Sequence, residues 1–426
     1  MATIKPFQAL VFNQAKIDNL SKTVCPPYDV ISPAQQEALF ERSPYNLIHV
    51  LLRKNSPGED KYKKSGEIFK DWLKSGILIK DNTPAIYFYS QQYKVRGETK
   101  TRYGFISLLH LGFDKPSAHA HENTRLPAKE DRFKLIQQVH ANLSPIFAIF
   151  QDKKRVIQRT FDQVLKDKPD MEAIDDEKTI HKIWKVTAPE LLKLVQSGLE
   201  QEEIFIADGH HRYEVGSAYR DLMKEKLGKL TGEEDFNYIM AYFTNTDPRG
   251  LSIWPIHRLI KLNSVFDTKK FLEMADEHFD VEEIKDKAKF FFLMEKGGVA
   301  EHLLGMYKDK KYWLLRLKNI KILDKVINDK PKEYRSLDVS ILNYMVLKNI
   351  LGLDLTDKES FVYSPHIQDI IKEVDEHPEY IGFFLNPVKI EQIIAVALVG
   401  EKMPPKSTYF YPKVLSGLTI NKFEDK

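Results

Sequence analysis

One short stretch constrains this chain more than any other. Glu203-Ile204-Phe205-Ile206-Ala207 reads as a short apolar strand, Asp208-Gly209 ends it, and the residues from His211 to about Lys226 carry a helical pattern. A glycine adopts positive φ without a Cβ penalty, so Gly209 allows an abrupt turn between the two elements. A strand–turn–helix unit of this kind needs a sheet for its strand and a second layer for its helix. It also has a chemical consequence. The first turn of a helix offers N–H groups and the positive end of the helix dipole, which together favour anions.

Patterns of both periods alternate along the rest of the chain. Tyr62, Phe69, Trp72 and Leu73 share one helical face, and Gly76 stops that run. Ala85 to Tyr89 and Tyr103 to Leu109 read as strands, and the charged connection between them contains Gly97, as a hairpin requires. Further strands are expected over 146–150, 238–244 and 380–385, and helices over 131–140, 336–351 and 390–398. The stretch 151–200 is charged and irregular and reads as an excursion out of the main sheet. These patterns imply an α+β protein of mixed sheets with flanking helices. Three regions are expected: 1–110, a core over 111–262 and a C-terminal α+β region over 263–426.

Composition narrows the function. The chain has 426 residues, enough for two or three domains with real cores. Its 64 Lys+Arg against 61 Asp+Glu leave a formal charge of +3, which argues against nucleic acid as the dominant partner. Cys25 is the only cysteine, so no disulfide closes within the chain and no cysteine-based zinc or iron–sulfur site can form. No apolar run reaches the ~18 residues of a membrane span, and the N-terminal residues lack a signal-peptide core. The expectation is a cytoplasmic protein.

Two segments carry candidate chemistry. In the first, His210, His211 and Arg212 follow Gly209, and a Gly turn with these cations would cradle phosphate. Asp208, at the strand end, could hold a magnesium ion or orient a hydroxyl; alternatively it caps the helix and the histidines decorate its first turn. The second is His119-Ala120-His121-Glu122-Asn123-Thr124-Arg125, in a polar loop before a helix. A carboxylate beside imidazoles can serve as a general base, with His121 and Glu122 the named pair. The alternative is that Asn123 or Thr124 caps a turn and the histidines are solvated. Weaker candidates are His257 and Arg258, the run Lys406-Ser407-Thr408 and Asp29, which could instead cap the helix at 33–40. Walker A, G-x-G-x-x-G, G-x-S-x-G and H-E-x-x-H patterns are all absent.

Seven motifs in order make the chain resemble a known bacterial and archaeal family, domain-of-unknown-function family one-thousand-and-fifteen. They are P-P-Y-D-V-I-S (26–32), H-E-N-T (121–124), N-L-S-P-I-F (142–147), A-D-G-H-H-R (207–212), P-I-H-R (255–258), L-D-V-S (337–340) and P-P-K-S-T-Y-F-Y-P-K (404–413). More distantly, the D-G-H-H-R turn is similar to the phosphate-binding box of the ParB/sulfiredoxin-like superfamily, which includes free-serine kinases. That resemblance implies a small nucleotide-binding core. It also implies that His121-Glu122 supplies the base for a hydroxyl and that Asp208 to Arg212 bind nucleotide and metal.

The reading that follows is a kinase-like phosphotransferase using ATP or ADP and Mg²⁺ on a small hydroxylated metabolite, with free serine as the specific candidate. In it Glu122 is the base, Asp208 the metal contact, and Gly209, His210, His211 and Arg212 the phosphate site. Lys406, Ser407 and Thr408 are additional phosphate ligands, and Asp29, Arg125, His257 and Arg258 are further candidates. Two other readings stay open. One is a metal-dependent hydrolase built on His119, His121, His210, His211 and Asp208. The other is a regulatory nucleotide-binding protein without turnover.

Overall fold

The computed structural model describes residues 2–112, 115–228, 231–262, 266–298, 301–357 and 359–424. The chain divides into two compact units. The first comprises Met1–Ala120, Thr124–Ser252 and Pro412–Lys426, and the second His121–Asn123 with Ile253–Tyr411. Both are mixed α and β, as the alternating periods imply.

The first unit is built on an eight-stranded sheet. Its strands are β1 (Ile4–Lys5), β2 (Ile86–Val95), β3 (Glu98–His110), β4 (Ile146–Phe150), β5 (Met171–Ile174), β6 (Ile180–Val186), β7 (Phe205–Asp208) and β8 (Tyr238–Asn245). The order is β7-β4-β8-β3-β2-β6-β5, with β1 added alongside β3. β4 and β8 run parallel; the other pairs are antiparallel. The expected hairpin joins β2 to β3. Arg96 and Gly97 both take positive φ between the paired residues Val95 and Glu98, a conformation suited to a two-residue turn.

Successive strand residues point to opposite faces, and here both faces are buried. Ile86 and Phe88 join Phe105, Ile146, Ala148, Ile206 and Phe243 on one face, under Phe161 and Val164 of one helix and Val195 and Leu199 of another. Tyr87, Tyr89, Gln91 and Tyr93 alternate with them onto the other face, where Tyr89, Tyr242 and Phe147 pack edge to ring at 5.1 and 5.4 Å. The C-terminal segment lies along this second face. Lys413 accepts a hydrogen bond from Gln91, Thr419 reaches the Met240 sulfur, and Asn421–Lys422 pairs with Ala141–Asn142.

One expectation is corrected. The stretch 151–200 does not leave the sheet: β5 and β6 extend its edge, with Ile86 to Gln92 paired to Val186 to Ile180. Its helices, Val156–Val164 and Pro189–Leu199, cover the apolar face. β5 has only four residues and β6 is broken by His181, Lys182 and Lys185, so neither shows the continuous apolar run that betrays a central strand.

The second unit holds a six-stranded antiparallel sheet in the order Phe279–Ile284, Lys311–Leu317, Leu303–Lys308, Tyr380–Phe384, His257–Lys261, Phe361–Ser364. Leu259, Phe290, Met294, Leu314, Ile370 and Phe384 form its core. The apolar segment expected as one helix over 336–351 is helical, but it passes from an α-helix at Asp338–Ile341 into a π-helix at Leu342–Ile350. Residues 263–265, where the third region was expected to begin, lie outside the described residues. Among the described residues, no helix is long and apolar enough to cross a membrane.

Candidate functional site

The strand–turn–helix forms as its residues demand. β7 is held on both sides: Phe205 and Ile206 pair with Ile149 and Ala148 of β4, and on the other side Ile206 donates to the His119 carbonyl at 2.9 Å. His119 is thereby an edge residue of the sheet, its ring stacked on Phe205 at 5.1 Å. A register shift between Ile206 and Asp208 re-aims the strand end. Gly209 follows at φ +90°, and an 18-residue helix, His210–Leu227, starts there with no side chain capping it. A Cβ at Gly209 would stand 2.8–3.0 Å from the Arg212 guanidinium. Glycine is therefore required twice over, by the backbone angle and by the arginine folded across it.

The centre of the site is one carboxylate held by two cations. Arg212 Nη2 lies 3.0 Å from Asp208 Oδ2, and Lys413 Nζ lies 2.8 Å from Asp208 Oδ1. These side chains are 12%, 17% and 12% exposed for Arg212, Asp208 and Lys413. Arg212 Nη1 also donates to the Pro145 carbonyl, which joins the N-L-S-P-I-F motif to the turn. Burial pushes the Asp208 carboxyl up, but Lys413, Arg212 and His210 outweigh it and hold the group down at about 2. Asp208 is an anion across the physiological range, held by two cations at a helix N-terminus. Arg212 Nε is buried without a hydrogen-bond partner among the described residues. Beside Arg212 a cavity of about 60 Å³ is lined in part by Tyr28, Arg132, Ser144 and Val215. The Arg132 guanidinium sits 4.3 Å from the Tyr28 ring centroid.

The next residues of the helix serve as anchors. His211 Nε2 accepts from the Arg125 backbone N–H at 2.9 Å, and Glu214 Oε2 accepts from Thr124 Oγ1 at 2.5 Å and from Lys129 at 3.1 Å. Residues 211 and 214 lie three apart on one helical face, so together they fasten the start of the Leu126–Val139 helix. Tyr213 adds a bond from Ser117 N–H at 3.0 Å.

The remaining candidates divide between the units. Asp29 lies exposed in a short 3₁₀ turn, and the helix that follows is capped by Ser32, whose hydroxyl accepts from Gln35 N–H. In the second unit, the H-E and P-P-K-S-T motifs come together. Met403 donates to the His121 carbonyl at 2.7 Å, Glu122 bridges Met403, and His121 Nε2 lies 3.4 Å from Thr408 Oγ1. His257 and Arg258 are buried on a central strand. Burial, with Arg258 and His366 adding to it, lowers His257 to about 3, so the imidazole is neutral and its Nδ1 accepts from Leu385 N–H. Arg258 donates to the Lys406 carbonyl at 2.9 Å and lies 4.8 Å from the Tyr363 ring centroid, which makes it a clamp on the exposed Lys406 turn.

Metal chemistry fits this arrangement poorly. Among the described residues, no group of three or more His, Cys, Asp or Glu side chains is arranged to hold a metal ion. Both Asp208 oxygens are already engaged by cations, and a divalent ion there would meet Lys413 and Arg212 at contact distance. As the structure holds it, Asp208 is the counter-ion of Lys413 and Arg212, an arrangement that does not fit the expected magnesium contact. Lys413 is the residue that sequence reasoning missed. It ends the same P-P-K-S-T-Y-F-Y-P-K motif from which Lys406 was chosen, and its position one residue after a proline was the available signal.

The family described as a protein of unknown function (DUF1015) matches residues 4–340. The chain belongs to that family. No curated protein matches it. Among solved structures, SbnI with C-terminal truncation from Staphylococcus aureus is similar with a TM-score of 0.36 at 12% identity, over 74% of this chain and 87% of that one. A free serine kinase in complex with AMP gives 0.32 at 12% identity, over 69% and 83%. A conserved hypothetical protein from Pyrococcus furiosus gives 0.32 at 14% identity, over 70% and 89%. For this family member, the geometry of the turn carries the functional reading.

Proposed function

We propose that this protein is a nucleotide-dependent phosphotransferase acting on a small hydroxylated metabolite, with free serine as the first acceptor to test. The observation that carries the reading is the buried cluster at Asp208. Two cations meet one carboxylate at the start of a long helix that no side chain caps, so the turn offers a guanidinium, the positive end of the helix dipole and N–H groups to an anion. ATP or ADP phosphates have the matching charge and geometry, and Arg212 is suited to two-point recognition of phosphate oxygens. Phosphoryl transfer depends mainly on positioning and on stabilising charge in the transition state, which such a turn is equipped to supply. The D-G-H-H-R resemblance supports the same assignment.

Glu122 enters the proposal as the base that takes the acceptor hydroxyl proton, with His121 beside it. The H-E motif at 121–122 supports that role. The hydrolase reading receives no support, because no metal-ligand set exists among the described residues. The test is phosphorus NMR with ATP or ADP and a panel of hydroxy amino acids, with and without Mg²⁺. Transfer to one acceptor is the expected result. Nucleotide binding by calorimetry with no transfer to any acceptor would favour a regulatory role, and the absence of both would end the proposal.

A further inference from the structure

β4 and β8 are parallel neighbours, and the chain leaves their carboxyl ends in opposite directions. After β4 it enters the helix Val156–Val164, whose Val156, Ile157 and Phe161 join the core on the first face of the sheet. After β8 it turns to the second face, where Tyr93 Oη donates to the Gly250 carbonyl at 3.1 Å and Gly250 lies against Thr101 and Arg102. Connections that diverge to opposite faces cannot close over one another, and the gap between them at the strand ends is where open sheets hold ligands. Here that gap is a crevice of about 680 Å³. Ligand sites span roughly 300–1,000 Å³. Asp208 pairs with Phe147, and the crevice begins at Gln151, four residues further along the same strand and about 13 Å away at 3.3 Å per residue. It is therefore a separate site, and nothing in its reading depends on the Asp208 turn.

The chemistry of the walls narrows the ligand. Among the described residues, the lining has no aromatic side chain, and Pro248 is its one apolar residue, so a nucleobase has nothing to stack on. The two carboxylates are already engaged. Asp152 accepts from the Val156 and Ile157 N–H groups at 2.6 and 3.2 Å, which also caps the helix, and Asp247 takes Nε of Arg249 at 3.0 Å and Nη2 at 2.5 Å. Arg249 is thereby fixed with its Nη1 donors unspent. The Arg155 guanidinium makes no hydrogen bond or ion pair among the described residues, and its backbone sits at φ +51°, with Asp152 at +52°. Left-handed backbone is unfavourable for residues with a Cβ, so two such residues within four mark a connection whose shape is held against its local preference. We propose that this crevice is a second ligand site, for a hydroxylated phosphate monoester that carries no base. Arg155 and Arg249 take the phosphate, whose planar pairing with guanidinium suits two-point contact, and Gln151 and Thr246 take the hydroxyls.

The experiment is hydrogen exchange on the full chain, titrated separately with ribose 5-phosphate, glycerol 3-phosphate, inorganic phosphate and ADP. The proteins are the wild type, Arg155→Gln, Arg249→Gln and the double variant. The concentration that half-slows exchange in one segment reports the affinity of that segment's site alone, so binding at 205–213 is read apart. At least one of the two esters is expected to slow exchange over 151–158 and 245–249, at lower concentration than inorganic phosphate or ADP. Each single substitution should raise the half-slowing concentration about 10-fold, the lower end for hydrogen bonds to a charged group. Both arginines are exposed, so the melting temperature should not move; a lowered one is met by Arg155→Lys and Arg249→Lys, which keep the charge and lose the two-point contact. Unchanged exchange over 151–158 and 245–249 with both esters overturns the inference. So does equal or better protection by inorganic phosphate or ADP, or wild-type protection in the double variant. None of these results bears on the Asp208 turn.

Discussion

Replacing Gly209 with alanine tests the turn at its most constrained atom. Two costs are expected, and they can be separated. The first is backbone strain: φ is +90°, and a residue with a Cβ held in left-handed space costs about 1–2 kcal/mol. The second is displacement of Arg212, since the new Cβ would fall 2.8 Å from Nη2 and 2.9 Å from Cζ. A free arginine tip would swing aside cheaply. This one is tied to Asp208 and to the Pro145 carbonyl, so moving it forfeits a charge-assisted hydrogen bond worth about 1.5–3 kcal/mol. The assay is urea unfolding together with ADP affinity for Gly209→Ala, Arg212→Ala and the double variant. In the Arg212→Ala background only the backbone strain remains, so Gly209→Ala should cost less there than in the wild type. Equal costs in both backgrounds, with ADP affinity untouched, would refute the claim that the arginine folded across the glycine is what binds phosphate.

Other outcomes follow from the proposed function and from single contacts in the structure. Glu122→Gln should lower kcat by ~10²–10⁴-fold and leave nucleotide Kd unchanged, and full turnover would show that the base is another group. Asp208 is held at about 2, below its ordinary 3.8, so the stability it contributes is present above pH 4 and is lost as pH falls from about 4 towards 2. Asp208→Asn should remove that part of the acid transition in a pH-dependent unfolding series; an identical acid limb would contradict the ion-pair assignment. His211→Ala should leave phosphate affinity nearly intact while costing about 0.5–1.5 kcal/mol, and it should speed hydrogen exchange in residues 124–129, which it fastens. Ser32→Ala should cost about 1 kcal/mol through loss of the helix cap, read from thermal unfolding.

The local parts of this protein were legible in its sequence. An apolar run, a glycine and a helical period specify the turn at 205–212 because each is a short-range property: burial on both strand faces, a backbone angle closed to other residues, and one amphipathic helix. The strand at Ile146–Phe150 and the helix at Ile390–Leu398 were readable for the same reason. Periodicity says nothing about which strands become neighbours. β5 and β6 were hidden within a charged stretch because a half-buried strand needs only one apolar face, and their place was decided by the pairing of β6 with β2 and of β5 with β6. Asp208 shows the same division at the level of chemistry. Its residue type and its place before Gly209 suggested a metal contact or a cap. Its actual state is set by Lys413, brought in from the far end of the chain on a segment clamped by Gln91 and Arg102. A carboxylate's role depends on which charges the fold packs around it, and that packing is decided only when distant segments meet.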